Sequence, residues 1–598
     1  MRPHSSFFLT SLCLPGALSN FLGPIYPAPR DLTSSDSLVA AGWKNLARKF
    51  ETSLGSSSNS ALSQLNDLTF SVGLFSTHDS SAERLQYHHT APEIANSATG
   101  TRKVDGDSIY RIASVSKLFT VLAGLIELKG QDWERPLSEL FPAFAQSLRE
   151  RSGTVDPVYD TQWDAITPRA LASQMGGIAQ YGAPWNTDYL TLHALNTSDP
   201  LSDPATYALP PVNKSDPAIW PPCATLEGFL HGSCAPGDYT VGVSSNPPIF
   251  LPWASPAYSN NGLTILGLAI SNLTGKSMEE VYQESIFDPL DMQSSYSNVP
   301  PDSELSRSVV AGVYDQGFAL VNGISTPSGG LFSTLNDLAK FSTGVLNSTL
   351  LTPTETRRWM KPVTHMSDLH YSIGAPWEIY RYEHPDTGLV TDIYTKLGDS
   401  GNYGSMTLFL PDFDAGINVI TASSKTTRSA QTLFLIQQVV DVILPALTNQ
   451  AARELARNYA GTYVATANNL NSSMTFVAAQ RGPPGLVISS WISNGTDLAP
   501  WLPYIINARS YGLRPTISPL GNEGQMVFRP ATTPTEPVRP GNPSNLFTNF
   551  YQADQFAQLG QATYAGQYLS EFVFDVEADG SVSAVTPAAW RVRLEKRE

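Results

Sequence analysis

At 598 residues the chain is longer than one ordinary hydrophobic core organises, so two or three domains are expected. Hydrophobic residues at 41% and charged residues at 15% describe a globular chain and exclude wholesale disorder. A net charge of −16, with no basic cluster anywhere, excludes nucleic acid and anionic membrane surfaces as partners, since both need basic patches.

The first residues, "MRPHSSFFLTSLCLPGALSN", place Arg2 before an apolar stretch from Phe7 to Leu18. Residues 1–19 are therefore expected to be a secretory signal peptide, giving a secreted, extracellular product. No later run reaches the roughly 18 apolar residues of a membrane span, so no span is expected. Cys13 would leave with the signal, and the remaining Cys223 and Cys234 suit a local disulfide in an oxidising compartment. Asn-x-Ser/Thr sequons begin at Asn196, Asn213, Asn272, Asn347, Asn471 and Asn494 and permit glycosylation.

Residues 20–61 are Pro- and Ser-rich and predict a flexible lead-in. A first large body is expected over 62–447. It opens with a strand at "LTFSVGLFST" (68–77). A helix follows from Ser114, with Leu118, Leu122 and Leu125 at helical spacing and Gly130 as a stop. Residues 181–257 lose periodicity and predict a long functional covering, whose aromatics Tyr181, Trp185, Trp220 and Trp253 suit either a pocket roof or the packing of the segment itself. Helical patterns return at "NGLTILGLAISNL", "SMEEVYQESIF" and "TLNDLAKFSTGVL", then the strand pair "GSMTLFLPD" and "AGINVITAS". The apolar helix "SAQTLFLIQQVVDVILPAL" (429–447) is placed to cover a sheet. From 448 to 598 short alternating stretches separated by turns predict a small all-β domain. No internal repeat is evident.

Three short segments carry the chemistry. In "RIASVSKLF", Ser114 and Lys117 stand three apart, neighbours on one helical face. A serine hydroxyl needs a base, and a lysine whose pKa is lowered by burial supplies one. The plain alternative is that Ser114 caps the helix and Lys117 points to water. In "PAYSNNGLTILG", Tyr258 suits proton relay and Asn260 suits orienting a substrate amide or the lysine; helix capping by Asn260 or Asn261 is the alternative. In "YTKLGDSGNYGSMTLFLPD", Lys396 and Gly398 share one face of a strand. The lysine offers fixed positive charge and the glycine leaves room for an acyl group; an edge-strand lysine is the alternative. No Gly-x-Ser-x-Gly elbow, His-Glu-x-x-His or Gly-rich phosphate loop occurs, so no metal and no cofactor are expected.

In this order, Ser-x-x-Lys, Tyr-x-Asn and Lys-x-Gly resemble the serine β-lactamase and penicillin-binding-protein superfamily, especially class C β-lactamases and related esterases. The flanking phrases "PLSELFPAF", "ITPRALASQMGGI", "IFDPLDM" and "PSGGLFSTLNDLAKF" are similar too. The resemblance implies an α/β (α+β) fold: an antiparallel sheet flanked by helices, with a helical domain inserted between the first two motifs. The tail from "NYAGTYVATANN" is similar to lipocalin-like appendages. The resemblance further implies that Ser114 is acylated, Lys117 and Tyr258 shuttle protons, Asn260 positions substrate and Lys396 adds electrostatic stabilisation. It makes the backbone N–H groups of Ser114 and Asp399 the oxyanion hole, beside Gly398. Gln174, Met175 and Leu397 depart from the family pattern, and Leu397 removes a hydroxyl that would bind a substrate carboxylate. Asp399 puts a negative charge beside the oxyanion site. The expected function is a secreted serine hydrolase acting on an ester or amide; an acyltransferase of the same fold and a non-catalytic binding homologue are the alternatives. Oligomeric state is left open.

Overall fold

Thr69–Ser76 (β1) is buried at all eight positions, which places it inside a sheet rather than at its edge. In the computed structural model its neighbours are Gln86–His89 (β2) on one side and Ala415–Ala422 (β8) on the other, all antiparallel. Thr364–His365 (β3), Tyr371–Ile373 (β4), Glu378–Glu383 (β5), Val390–Ser400 (β6) and Tyr403–Leu410 (β7) complete an eight-stranded sheet of order β2-β1-β8-β7-β6-β5-β4-β3. The register Thr69↔Ala422 closes β1 against β8 across most of the body. The structure describes residues 23–55, 60–150, 156–181, 204–210, 234–244, 246–315, 317–385, 390–466, 470–480, 483–506, 511–518, 524–532, 560 and 562–597. The expected signal peptide, Trp185, Trp220, Cys223, Asn196 and Asn213 lie outside them.

Strand alternation sends Ile417 and Val419 to one face and Ile420 to the other. On the first face lie Leu38–Ser53 (α1) and the long helix Arg428–Asn458 (α5), which bury Val39, Trp43 and Phe50 with Leu435, Val439 and Ile443. On the second lie Ser116–Glu127 (α2), Asn260–Thr274 (α3) and Leu335–Leu346 (α4), where Phe119 stacks on Phe341 at 4.0 Å between ring centres. Between the segments of Ser114 and Tyr258 the described chain is helical at Leu137–Leu140, Pro142–Glu150, Pro168–Ala172 and Pro236–Ser244. Cys234 is buried at the start of the last of these.

Two expectations need correction. The stretch 20–61 is not simply a flexible lead-in, because α1 occupies much of it. Ser37 caps this helix by accepting from the N–H groups of Val39 and Ala40, and Val39, Trp43, Leu46 and Phe50 form a buried stripe. The Pro- and Ser-rich flanks masked that stripe in the composition. The boundary at 447/448 also falls inside α5, which continues through Pro445 to Asn458 on the good helix formers of "NQAARELARN". By length and composition this helix is long and apolar enough to cross a membrane. Here its apolar stripe covers the sheet.

The helix ends by inserting Leu455 into the core of the second unit. That unit comprises Gly461–Val464 (β9), Ser473–Ala478 (β10), Leu486–Ser493 (β11), Thr496–Asp497 (β12), Tyr511–Ile517 (β13), Gly524–Thr532 (β14), Phe572–Val576 (β15), Val582–Pro587 (β16) and Leu594–Lys596 (β17). The order β10-β9-β17-β16-β15-β14-β13-β11 closes on itself through the β10–β11 pairing. Tyr463, Phe476, Phe528, Phe572 and Phe574 fill its interior. Among the sequons, Asn272, Asn347, Asn471 and Asn494 are exposed, and the Asn272 amide donates to the Leu140 carbonyl at 2.7 Å.

Phe50 is fully buried, its ring 5.6 Å from Phe70 and 5.0 Å from Tyr87. If α1 is integral to the sheet's core, Phe50→Ala destabilises the protein by roughly 3–5 kcal/mol, the usual cost of emptying such a site. Denaturant unfolding followed by tryptophan fluorescence measures this, and a loss below ~1 kcal/mol would return α1 to a surface role.

Candidate active site

Ser114 sits in a single tight turn, Ala113–Val115, immediately before α2. Ala113 is held at φ +44°, the left-handed region that a residue with a side chain enters only under constraint. The constraint is visible. Ser405 Oγ on β7 donates to Ile112 O at 2.6 Å, Ser116 Oγ donates to Ala113 O at 2.6 Å, and Leu331 N–H donates to Ser116 Oγ at 3.1 Å. The turn is thus clamped between the sheet and the segment around Leu331.

Lys117, in the first turn of α2, is completely buried and does not reach water. Its Nζ stands 2.9 Å from Ser114 Oγ and 2.7 Å from Asn260 Oδ1, and it donates to Ser328 O. Burial pushes the Lys117 pKa well below that of a free lysine; the nearby Lys396 charge lowers it further, while Glu378 acts in the opposite direction. Tyr258 donates its hydroxyl to Ser114 Oγ at 2.7 Å. Burial of that hydroxyl raises its pKa, against the hydrogen bond to Ser114, so the phenol stays protonated.

Asn260 is the first residue of α3 but not its cap: Ser259 Oγ accepts from Gly262 N–H at 2.9 Å and leaves the Asn260 amide to the lysine. Gln174 holds this loop by accepting from Ser259 N–H at 2.8 Å. Its own Nε2 is buried with no partner among the described residues. The Gln174 side chain therefore acts on the tyrosine loop through the backbone.

β6 forms the opposite wall. Lys396 Nζ lies 5.2 Å from the centre of the Tyr258 ring, and Lys117 Nζ 4.9 Å from it. A methyl group on Gly398 would stand 2.5 Å from Ile112 O and 3.2 Å from Ser114 N, so only glycine admits the serine turn here. Glu378, at the start of β5, accepts Leu397 N–H at 2.8 Å, which fixes that N–H on the β5 side of β6. Two residues on, the Asp399 N–H points the same way, past the end of β5. The Ser114 N–H has no acceptor among the described residues. The Asp399 carboxylate is paired with Arg428. Leu397 turns away and packs against the α1/α5 core.

All three motifs therefore meet: Ser114, Lys117, Tyr258 and Asn260 are in direct contact, with Lys396, Gly398 and Asp399 around them. Sequence reasoning missed Glu378, Ser328 and Arg428. Glu378 forms an ion pair with Lys396 and is brought there by the register Glu378↔Thr395, which no local pattern announces. Of the expected aromatic covering, Tyr181 and Trp253 are described; they keep 37% and 43% of their surface exposed.

Comparison with known proteins agrees with this architecture. The Beta-lactamase family model matches residues 83–440, and the model described as "Beta-lactamase-like-like, C-terminal domain" matches residues 451–598. The chain belongs to the β-lactamase family of hydrolases and carries a β-lactamase-like C-terminal domain. It is 30% identical to a beta-lactamase-like protein of Arthroderma benhamiae over 460 residues, 76% of this chain and 71% of the relative. It is 25% identical to probable hydrolase M10 of a Phoma species, over 86% of this chain and 83% of the relative. Among solved structures, a class C β-lactamase of Rhodobacter sphaeroides shares 15% identity over 67% of this chain and 99% of its own, with a TM-score of 0.44. A D-stereospecific amidohydrolase of a Streptomyces species shares 18% over 66% and 97%, with a TM-score of 0.43.

Gly398→Ala is expected to displace the 112–114 turn while the sheet remains. Labelling of Ser114 by a fluorophosphonate probe should slow at least ~100-fold with an unchanged circular dichroism spectrum, because misplacement of about 1 Å carries that cost.

Proposed function

We propose that this chain is a serine hydrolase that cleaves an ester or amide through an acyl-Ser114 intermediate, with Lys117 and Tyr258 moving the protons. The observation that carries the reading is the set of partners around one buried amine. A free amine has two N–H bonds and one lone pair. Two oxygens, Asn260 Oδ1 and Ser328 O, accept the N–H bonds, which leaves the lone pair for the Ser114 hydroxyl at 2.9 Å. Burial and the Lys396 charge favour that free-base form.

Ser114 Oγ attacks the substrate carbonyl carbon and its proton passes to Lys117 Nζ. The carbonyl oxygen takes the electron pair and lies against the N–H groups of Ser114 and Asp399. Collapse of this intermediate expels an alkoxide or amine, which takes the proton gained by Lys117, relayed through the Tyr258 hydroxyl. Water then enters by the same path in reverse, releasing the acid and restoring Ser114. A protonated Tyr258 suits a relay that must always have a proton to give. The Phoma relative's name, probable hydrolase, agrees with this reading.

Ser114→Ala should abolish turnover of p-nitrophenyl esters and fluorophosphonate labelling with the fold intact, and Lys117→Ala should slow acylation by about 10³-fold. Retained turnover in Ser114→Ala would sink the reading. The pH profile gives a second test. Protonated Lys117 is inactive, so kcat/KM should rise with pH through its depressed pKa and then level. Lys396→Met removes a charge that lowers that pKa and leaves Glu378 to raise it, so the rising limb should move to higher pH.

A further inference from the structure

In this site the cation on β6 already has an anion. Lys396 is almost completely buried, and its Nζ donates to Glu378 Oε1 and, at 2.8 Å, to Leu397 O. The other Glu378 oxygen accepts Leu397 N–H at 2.8 Å, so the carboxylate is fixed by two donors on β6. A carboxylate on this strand, Asp399, is matched by the buried guanidinium of Arg428. Position 397, beside the lysine, is an alkyl side chain packed into the opposite core and offers no hydroxyl. With Lys117 a free amine and Tyr258 a neutral phenol, no unmatched positive charge stands at the serine among the described residues. The chain as a whole, at −16, repels anions as well.

We infer that Glu378 is the specificity-determining residue of this site and that it selects neutral esters or amides over substrates bearing a carboxylate next to the scissile bond. The inference rests on the acyl-Ser114 reading and narrows its substrate class. A carboxylate arriving at Lys396 would have to displace Glu378, leaving that half-buried group without its cation, or bind beside it as a second anion on one buried ammonium. A neutral alkyl or aryl group meets neither obstacle.

The test uses two boronic acids that differ by one charge, phenylboronic acid and 3-carboxyphenylboronic acid, each forming a reversible adduct with a nucleophilic serine. Their affinities are measured by calorimetry on the full-length wild type, Glu378→Gln, Glu378→Ala and Ser114→Ala. Wild type should bind the neutral compound at least ~10-fold more tightly than the acid. Glu378→Gln keeps an oxygen for Leu397 N–H but removes the charge, and should shrink or reverse that ratio by at least ~10-fold; Glu378→Ala should move it in the same direction. Thermal melting confirms that each variant is folded. Wild type preferring the acid, or a ratio unchanged within twofold in both Glu378 variants, overturns the inference while leaving the hydrolase reading in place. Ser114→Ala binding both compounds as wild type does would remove the acyl-serine reading, and the inference with it.

Discussion

One desolvated amine organises this protein. A lysine taken wholly out of water loses the solvation that keeps it charged, and the surrounding structure must then supply partners for whatever hydrogens remain. Lys117 is given two carbonyl acceptors from different parts of the chain, Asn260 and Ser328, and a hydroxyl in the turn that leads into its own helix, Ser114. Each contact depends on a separate piece of the fold. α2 supplies the spacing between serine and lysine, α3 delivers the amide, and the turn before the segment around Leu331 brings a carbonyl across.

The backbone carries the strain that this convergence requires. Ala113 is forced to positive φ so that the serine turn points outward while α2 begins immediately behind it. The sheet makes the distortion sustainable, since Ser405 grips Ile112 and β6 offers a glycine at the one place where a Cβ would collide with the turn. The same strand continues past the end of β5, so the Asp399 N–H on that side has no neighbouring strand to pair with. In the proposed reaction this open stretch of sheet edge, ordinarily a liability, provides the donor beside the serine. Among the described residues the closed C-terminal ring adds no group to the site. Its interior is a packed aromatic core, and α5 joins it to the first body by threading Leu455 into that core.

Much of this arrangement was legible in the sequence, for a physical reason. Ser114 and Lys117 interact through helical spacing, Lys396 and Gly398 through strand alternation, and both periods are local. The closing sheet strands and the long apolar helix were readable for the same reason. What escaped were residues whose role depends on long-range register. Glu378 reaches Lys396 only because β5 and β6 pair as they do, and Arg428 reaches Asp399 only because α5 starts above the β6–β7 turn. Ser328 contributes a backbone carbonyl, which no side-chain pattern advertises. α1 was missed differently: its stripe of Val39, Trp43, Leu46 and Phe50 is periodic, but Pro- and Ser-rich flanks dominated the composition around it.

The residues found late also explain how charge is balanced against reactivity. Lys396 helps to discharge Lys117, because two ammonium groups at close quarters disfavour each other's protons. An unmatched Lys396 would do so most strongly and would also attract any anionic ligand. Glu378 tempers both effects at once, since one carboxylate neutralises the strand lysine and pulls the Lys117 pKa back upward. Base strength and ligand charge are therefore set by the same ion pair and cannot be tuned independently. A site that accepts the counter-ion keeps a stronger base and gives up the electrostatic hold on a carboxylate, which is a workable exchange only for substrates anchored by apolar surface.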